Sequence, residues 1–327
     1  MQKKDPGCSW GFPKEAVHDL GQRLHGVWER FRGGFKTKTR DGSAYAHHYL
    51  SGVLRMKGER HFSGIGREAG VEGQNIQHFM SESPWSGEAV CRQVQDELKA
   101  GPELLSGRVL LVDESADEKA GDHSAGAGKQ YNGRMGKVET SQVGVLLSYV
   151  NLKVAQGFWT WLDGKLFLPE GGFEESHKGL RERWGIPKSR CFKTQVELAW
   201  ELIEGVISRG LSFEMVGFDT LYGRSGWLRD KVRGAGQVYR AEVPVDTPVY
   251  LEKPLLGIPE RKGKRGRKPS QIQVLSGEAV RADSLRERLT GRLIPVRPTE
   301  REPSCANALP PAGYGACRRV KRWKTGW

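Results

Sequence analysis

The chain has 327 residues, enough for two domains or one large domain with an appendage, and its 52 Lys and Arg against 39 Asp and Glu leave a formal charge of +13. That excess points to a polyanionic partner, most often nucleic acid, because neutralising phosphates releases counterions. The five scattered cysteines have no CxxC spacing, so neither a disulfide framework nor a zinc site follows, and no run of about 18 apolar residues or signal-peptide core is present.

Taken in order, residues 13–100 read as helical. Val17, Leu20, Leu24, Val27, Trp28 and Phe31 recur at spacings of three and four, and Tyr49, Leu50, Val53 and Leu54 resume the pattern after a basic linker. Residues 61–81, HFSGIGREAGVEGQNIQHFMS, have the outline of a helix-turn-helix: a short helix with Ile65 and Ala69, a turn at Gly70, and a second helix with Ile76, Phe79 and Met80. Its outward residues Asn75, Gln77 and His78 are candidates for major-groove contact, and an ordinary helical hairpin is the alternative. A further helix over 87–100 leads to residue 102, taken as the end of an all-α N-terminal domain.

The next segment is a mixed α/β domain over 103–244. Strands are expected at 109–113, 138–150 and about 158–168, then a helix at 193–209, a strand at 213–219, a helix at 225–234 and a strand at 237–243. Val109 to Val112 form an apolar run typical of a strand buried on both faces, ending at Asp113, and Phe213 to Phe218 form another ending at Asp219. A carboxylate at the end of a buried strand is costly without a cation or several hydrogen bonds, so these two are the first candidates for divalent-metal ligands. Between them lies a glycine-rich, polar stretch from Lys119 to Lys137. Thr194 and Glu197 make a capping box for the helix that follows, with Val196, Ala199, Trp200, Ile203 and Ile207 as its apolar stripe. Residues 245–302 are rich in Pro and charge, and RKGKRGRK at 261–268 offers Lys264, Arg265, Arg267 and Lys268 as a DNA-tracking arm. The final 25 residues, 303–327, contain five basic residues and no acid, and are expected not to pack.

These residues resemble insertion-sequence transposases with a DDE-superfamily endonuclease domain on a ribonuclease H-like fold. The resemblance rests on VDES at 112–115, EKAGDHSAGAGKQYNGRMGKVETSQVGVLLSY at 118–149, DGKLFLPE at 163–170, RERWGIP at 181–187 and FDTLYG at 218–223, in the same order over about residues 45–300. It implies cut-and-paste DNA transposition with two Mg²⁺ ions held by two Asp and one Glu, Asp113 and Asp219 matching the first two. It also implies contact between transposon-end phosphates and Lys119, Lys129, Arg134 and Lys137, and a homo-oligomer that pairs two DNA ends. The family's third acid stands on a late helix that this chain does not reach; Glu287 in DSLRERL is the one helix-borne acid in reach. The acid-free tail has the composition of out-of-frame translation, so a truncated or frameshifted copy with little strand transfer is expected, in the cytoplasm with the nucleoid. The alternative is a non-catalytic DNA-binding fragment that occupies transposon ends.

Overall fold

The structure, a computed structural model, describes residues 18–56, 58, 60–101, 104, 106–121, 124–151, 153–154, 157–260, 268–287, 292–295 and 306–309. The chain divides into two compact units, one of residues up to 105 with 161–163, the other of 106–160 and from 164 onward. Among the described residues no helix is long and apolar enough to cross a membrane.

The first unit is helical, as the periodicity predicts: α1 (Leu20–Phe31), α2 (Ser43–Arg55), α3 (Phe62–Ala69), α4 (Gly73–Ser81) and α5 (Gly87–Ala100). The helix-turn-helix outline is realised by α3 and α4. His61 caps α3 by accepting from the Gly64 N–H, and Gly70 ends it in the left-handed region at φ 73°, where a Cβ would be strained. Ile65 and Ile76 are buried, Phe79 stacks on Trp85, and Asn75, Gln77 and His78 on α4 face solvent.

The second unit is built on a six-stranded mixed sheet. Its strands are β1 (Arg108–Glu118), β2 (Gly128–Asn132), β3 (Lys137–Asn151), β4 (Phe158–Leu166), β5 (Met215–Phe218) and β6 (Tyr239–Ala241). The order is β2-β3-β1-β5-β6 with β4 also on β3; β1 is antiparallel to β3 and parallel to β5, and β5 is parallel to β6. Three antiparallel strands continued by two parallel ones are the arrangement expected of a ribonuclease H-like core.

Two expectations about the sheet change. β1 does not end at Asp113 but runs five residues further, because Glu114 to Glu118 continue to pair with Val145 to Ser141 of β3. Nor is it buried on both faces along its length: Val109 and Leu110 are both buried, but from Leu111, 39 % exposed, onward only Val112 and Ala116 are buried, the alternation of a one-sided strand. The polar stretch after β1 also contains a strand, β2, which the glycines hid.

The covered face packs against α7 (Gln195–Ser208), reached after the short α6 (Lys178–Arg183). The stripe that α7 buries is Leu198, Ala199, Leu202, Ile203 and Val206; Val196, Trp200 and Ile207 flank it, so the expected stripe is rotated by part of a turn. The capping box is as read: Glu197 N–H donates to Thr194 Oγ1 at 3.2 Å and Thr194 N–H to Glu197 Oε2 at 2.7 Å. Thr194→Ala is expected to cost about 1 kcal/mol, seen as a lower urea midpoint at unchanged slope. Two short helices follow β5, α8 (Thr220–Gly223) and α9 (Gly226–Gly234), before β6. Beyond them lie two-stranded pairs, β7 (Pro248–Tyr250) with β10 (Ala279–Arg281) and β8 (Leu255–Gly257) with β9 (Gln273–Ser276). Within the tail expected not to pack, β12 (Ala306–Leu309) pairs with β11 (Arg292–Pro295).

Candidate metal centre

Parallel pairing of β1 and β5 places Val112 opposite Phe218. Each strand's next residue is an aspartate, so residues 106 positions apart in sequence become neighbours at one edge of the ladder. β5 stops there because Asp219 leaves the strand to cap α8: its Oδ1 accepts from the N–H groups of Leu221 and Tyr222 at 2.9 and 3.5 Å. Asp113 Oδ1 accepts from the Glu114 N–H at 2.9 Å. One oxygen of each aspartate is thereby held by backbone, and the carboxylate planes are set before any ligand arrives.

A third acid stands with them. Glu114 alternates to the other side of β1, where the buried ring of Tyr222 lies close to it, and its longer side chain returns toward the edge. One carboxylate oxygen from each of Asp113, Glu114 and Asp219 lies within 4.8 Å of the other two.

Burial raises the proton affinity of all three, and the Asp219 charge adds to it at Asp113 and Glu114. Desolvation, then the Asp219 charge, lifts Asp113; desolvation lifts Asp219 against the backbone donors of α8. Glu114 is pushed up to about 7, first by desolvation, then by the charges of Asp219 and Asp113, with Tyr222 opposing. Tyr222 itself is raised by burial and by the three acids, and Glu242 by burial and Asp219. The Tyr222 hydroxyl is near enough to favour the Glu114 carboxylate, yet neither it nor Glu114 Oε2 has a partner of hydrogen-bond geometry among the described residues. No Lys or Arg among the described residues forms an ion pair with any of the three acids, although Arg224 lowers Asp219 at longer range.

Three converging hard oxygen donors, with an orphaned buried oxygen on Glu114, fit a divalent cation, which would compensate the repulsion. Without a cation the folded state holds a proton on Glu114 more tightly than the unfolded state does. Its contribution to stability is therefore complete below the ordinary value near 4.5 and is lost as pH rises through about 7. In EDTA the thermal midpoint should fall between pH 5 and 8 by the equivalent of about 2 kcal/mol, after discounting for solvent screening. Glu114→Gln should remove that part of the slope.

The structure brings together Asp113 and Asp219, the two acids expected from sequence, and adds Glu114, which the sequence reading did not single out although it stands beside Asp113 in VDES. Glu287 closes a short 3₁₀ helix, Ala282–Glu287, and its side chain lies outside the described residues, as do Lys264, Arg265 and Arg267. Lys268 is exposed. The cations expected beside Asp113 stand farther along the sheet, because β1 continues past it. Lys119 is six residues on, about 20 Å at 3.3 Å per residue, and pairs with Asp117 at 2.7 Å. Arg134 also reaches Asp117, and Lys129 and Lys137 pair with Glu139.

The sequence pattern described as DDE superfamily endonuclease matches residues 30–301. The chain belongs to that family. Members use divalent metal, in keeping with the acidic cluster. A probable transposase for insertion sequence element IS701 from Microchaete diplosiphon is 30 % identical over 155 residues, 47 % of this chain. The chain spans about a third of that relative's length, 36 %. Two solved structures are similar at low level. A Mos1 transposase paired-end complex with left transposon end has 11 % identity and a TM-score of 0.20, over 62 % of this chain and 59 % of that one. A pre-cleavage Mos1 transpososome has 10 % identity and a TM-score of 0.14, over 60 % and 58 %. For this DDE-family chain the fold assignment rests on strand order and sense, not on that likeness.

Proposed function

We propose that this chain is the metal-dependent endonuclease of an insertion-sequence transposase, cutting DNA phosphodiesters for transposition, with Asp113, Glu114 and Asp219 as its metal ligands. The observation that carries the proposal is the convergence of three carboxylates where β1 and β5 meet. Mg²⁺ held there would supply a Lewis acid for the phosphate and a more acidic bound water. Asp113 and Asp219 present oxygens already oriented by backbone N–H groups, so little reorganisation accompanies binding. Glu114, with a proton affinity near neutrality when unliganded, gives up its proton on ligation, which makes affinity rise with pH through about 7.

The DNA side of the proposal rests on surface chemistry. Asn75, Gln77 and His78 project from α4, the second helix of a helix-turn-helix, where base edges are read. Lys119, Lys129, Arg134 and Lys137 are held by surface acids whose weak pairing a phosphate can displace. Lys268, with the basic run at 261–267 before it in sequence, extends the set. Transposon ends as substrate and a homo-oligomer that pairs them belong to the same proposal.

The test is incubation of the full chain with supercoiled plasmid in Mg²⁺, in Mn²⁺ and in EDTA. Nicking in either metal and none in EDTA is expected. DNA binding without nicking in any metal would overturn the catalytic reading and leave a DNA-binding protein.

A further inference from the structure

A cavity of about 490 Å³ opens beside β2, at the free edge of the sheet, and none of the residues assigned to the metal centre lines it. Gly126, Ala127, Gly128 and Lys129 line one side of it. Its walls come from the segment after β4, where Phe173, Trp184 and Leu168 are half-buried. Lys129, His177 and Arg181 also line it, and no acid among the described residues does. Arg181 Nη1 donates to the Gly172 and Glu174 carbonyls, both at 2.8 Å, which pins the wall while leaving the guanidinium charge unneutralised by any carboxylate among the described residues.

We propose that this cavity takes one unpaired nucleobase of the DNA, an inference that rests on the DNA-cutting reading above. Aromatic side chains and cations in the lining, with no acid among the described residues, suit an aromatic ring that carries an anionic phosphate. The volume is that of a small-molecule site. The register ties the cavity to the metal centre: Lys129 pairs with Thr140 and Asp113 with Leu146, and Thr140 and Leu146 lie on the same face of β3. Six residues of strand separate the two pairs, about 20 Å, or about six base-pair steps of DNA at 3.4 Å each. A single strand of DNA laid along that face would reach both. Tyr131, on the same face of β2 as Lys129 and 56 % exposed, offers a further stacking surface outside the cavity.

The test compares two duplexes of equal length in EDTA, one fully paired and one with a single unpaired 2-aminopurine, binding to the full chain by fluorescence anisotropy. The unpaired duplex should bind about tenfold more tightly, and its 2-aminopurine emission should be quenched by stacking. Trp184→Ala should abolish the preference and the quenching without weakening the paired duplex, and Trp184→Phe should keep both. Equal affinities in the wild type, or a preference that survives Trp184→Ala, would overturn the proposal. Because the paired duplex binds without the cavity, its failure to bind would overturn the DNA reading itself, and the two failures are told apart.

Discussion

Asp219→Asn is expected to lower metal-dependent nicking by about 10³-fold while leaving the chain folded. The asparagine Oδ1 can still accept from the Leu221 and Tyr222 N–H groups, so the cap of α8 survives. What is lost is one negative oxygen donor to a cation whose stabilisation of phosphoryl charge is worth several kcal/mol. Repulsion on Asp113 and Glu114 also falls, since Asp219 raises both, so stability without metal should hold or rise. Nicking rates with circular dichroism check both halves. A variant that cuts at near wild-type rate would place the metal elsewhere.

The largest structural effect is expected at Gly223. Its position in FDTLYG suggests a turn into the next helix, but the reason for glycine there is clearance. A Cβ would lie 1.8 Å from the Glu242 carbonyl oxygen and 2.9 Å from its carbon, both backbone atoms that cannot swing aside. Glu242 is itself tied to β5 through its N–H to the Phe218 carbonyl at 3.0 Å. Gly223→Ala must therefore push α8 and the end of β6 apart, at about 3 kcal/mol or more, and α8 carries Asp219 and Tyr222. Thermal unfolding should show the loss, together with weaker metal binding. Gly234→Ala, at a helix end where a Cβ meets nothing within 4 Å, is the control and should leave the midpoint nearly unchanged.

Much of the architecture was legible because it rests on local signals. The helix over 195–208 was readable from Thr194, Glu197 and the spacing of its apolar residues, and β3 as the strand-like run over 138–150. Asp113 and Asp219 were readable because each follows an apolar run. The arrangement that brings in Glu114 was not, since it depends on β1 continuing beyond Asp113, and that continuation is set by pairing with β3, a contact between distant residues. A sequence in which Glu114, Ser115, Asp117 and Glu118 are polar looks like a loop until its partner strand is known. For the same reason Lys119 seemed to neighbour Asp113 when the extended strand carries it away. The cavity beside β2 was equally hidden, because its two sides, residues 126–129 and 168–186, are far apart in the chain.

The measurement that bears most directly on the metal centre is a Mn²⁺ titration of the full chain followed by electron paramagnetic resonance, at pH 6 and pH 8, for the wild type and for Asp113→Asn, Glu114→Gln and Asp219→Asn. The account predicts saturable binding that is tighter at pH 8, weakened by each aspartate substitution, and weakened with loss of most of its pH dependence by Glu114→Gln. Wild-type affinity retained in Glu114→Gln, or no saturable binding in the wild type, would contradict it.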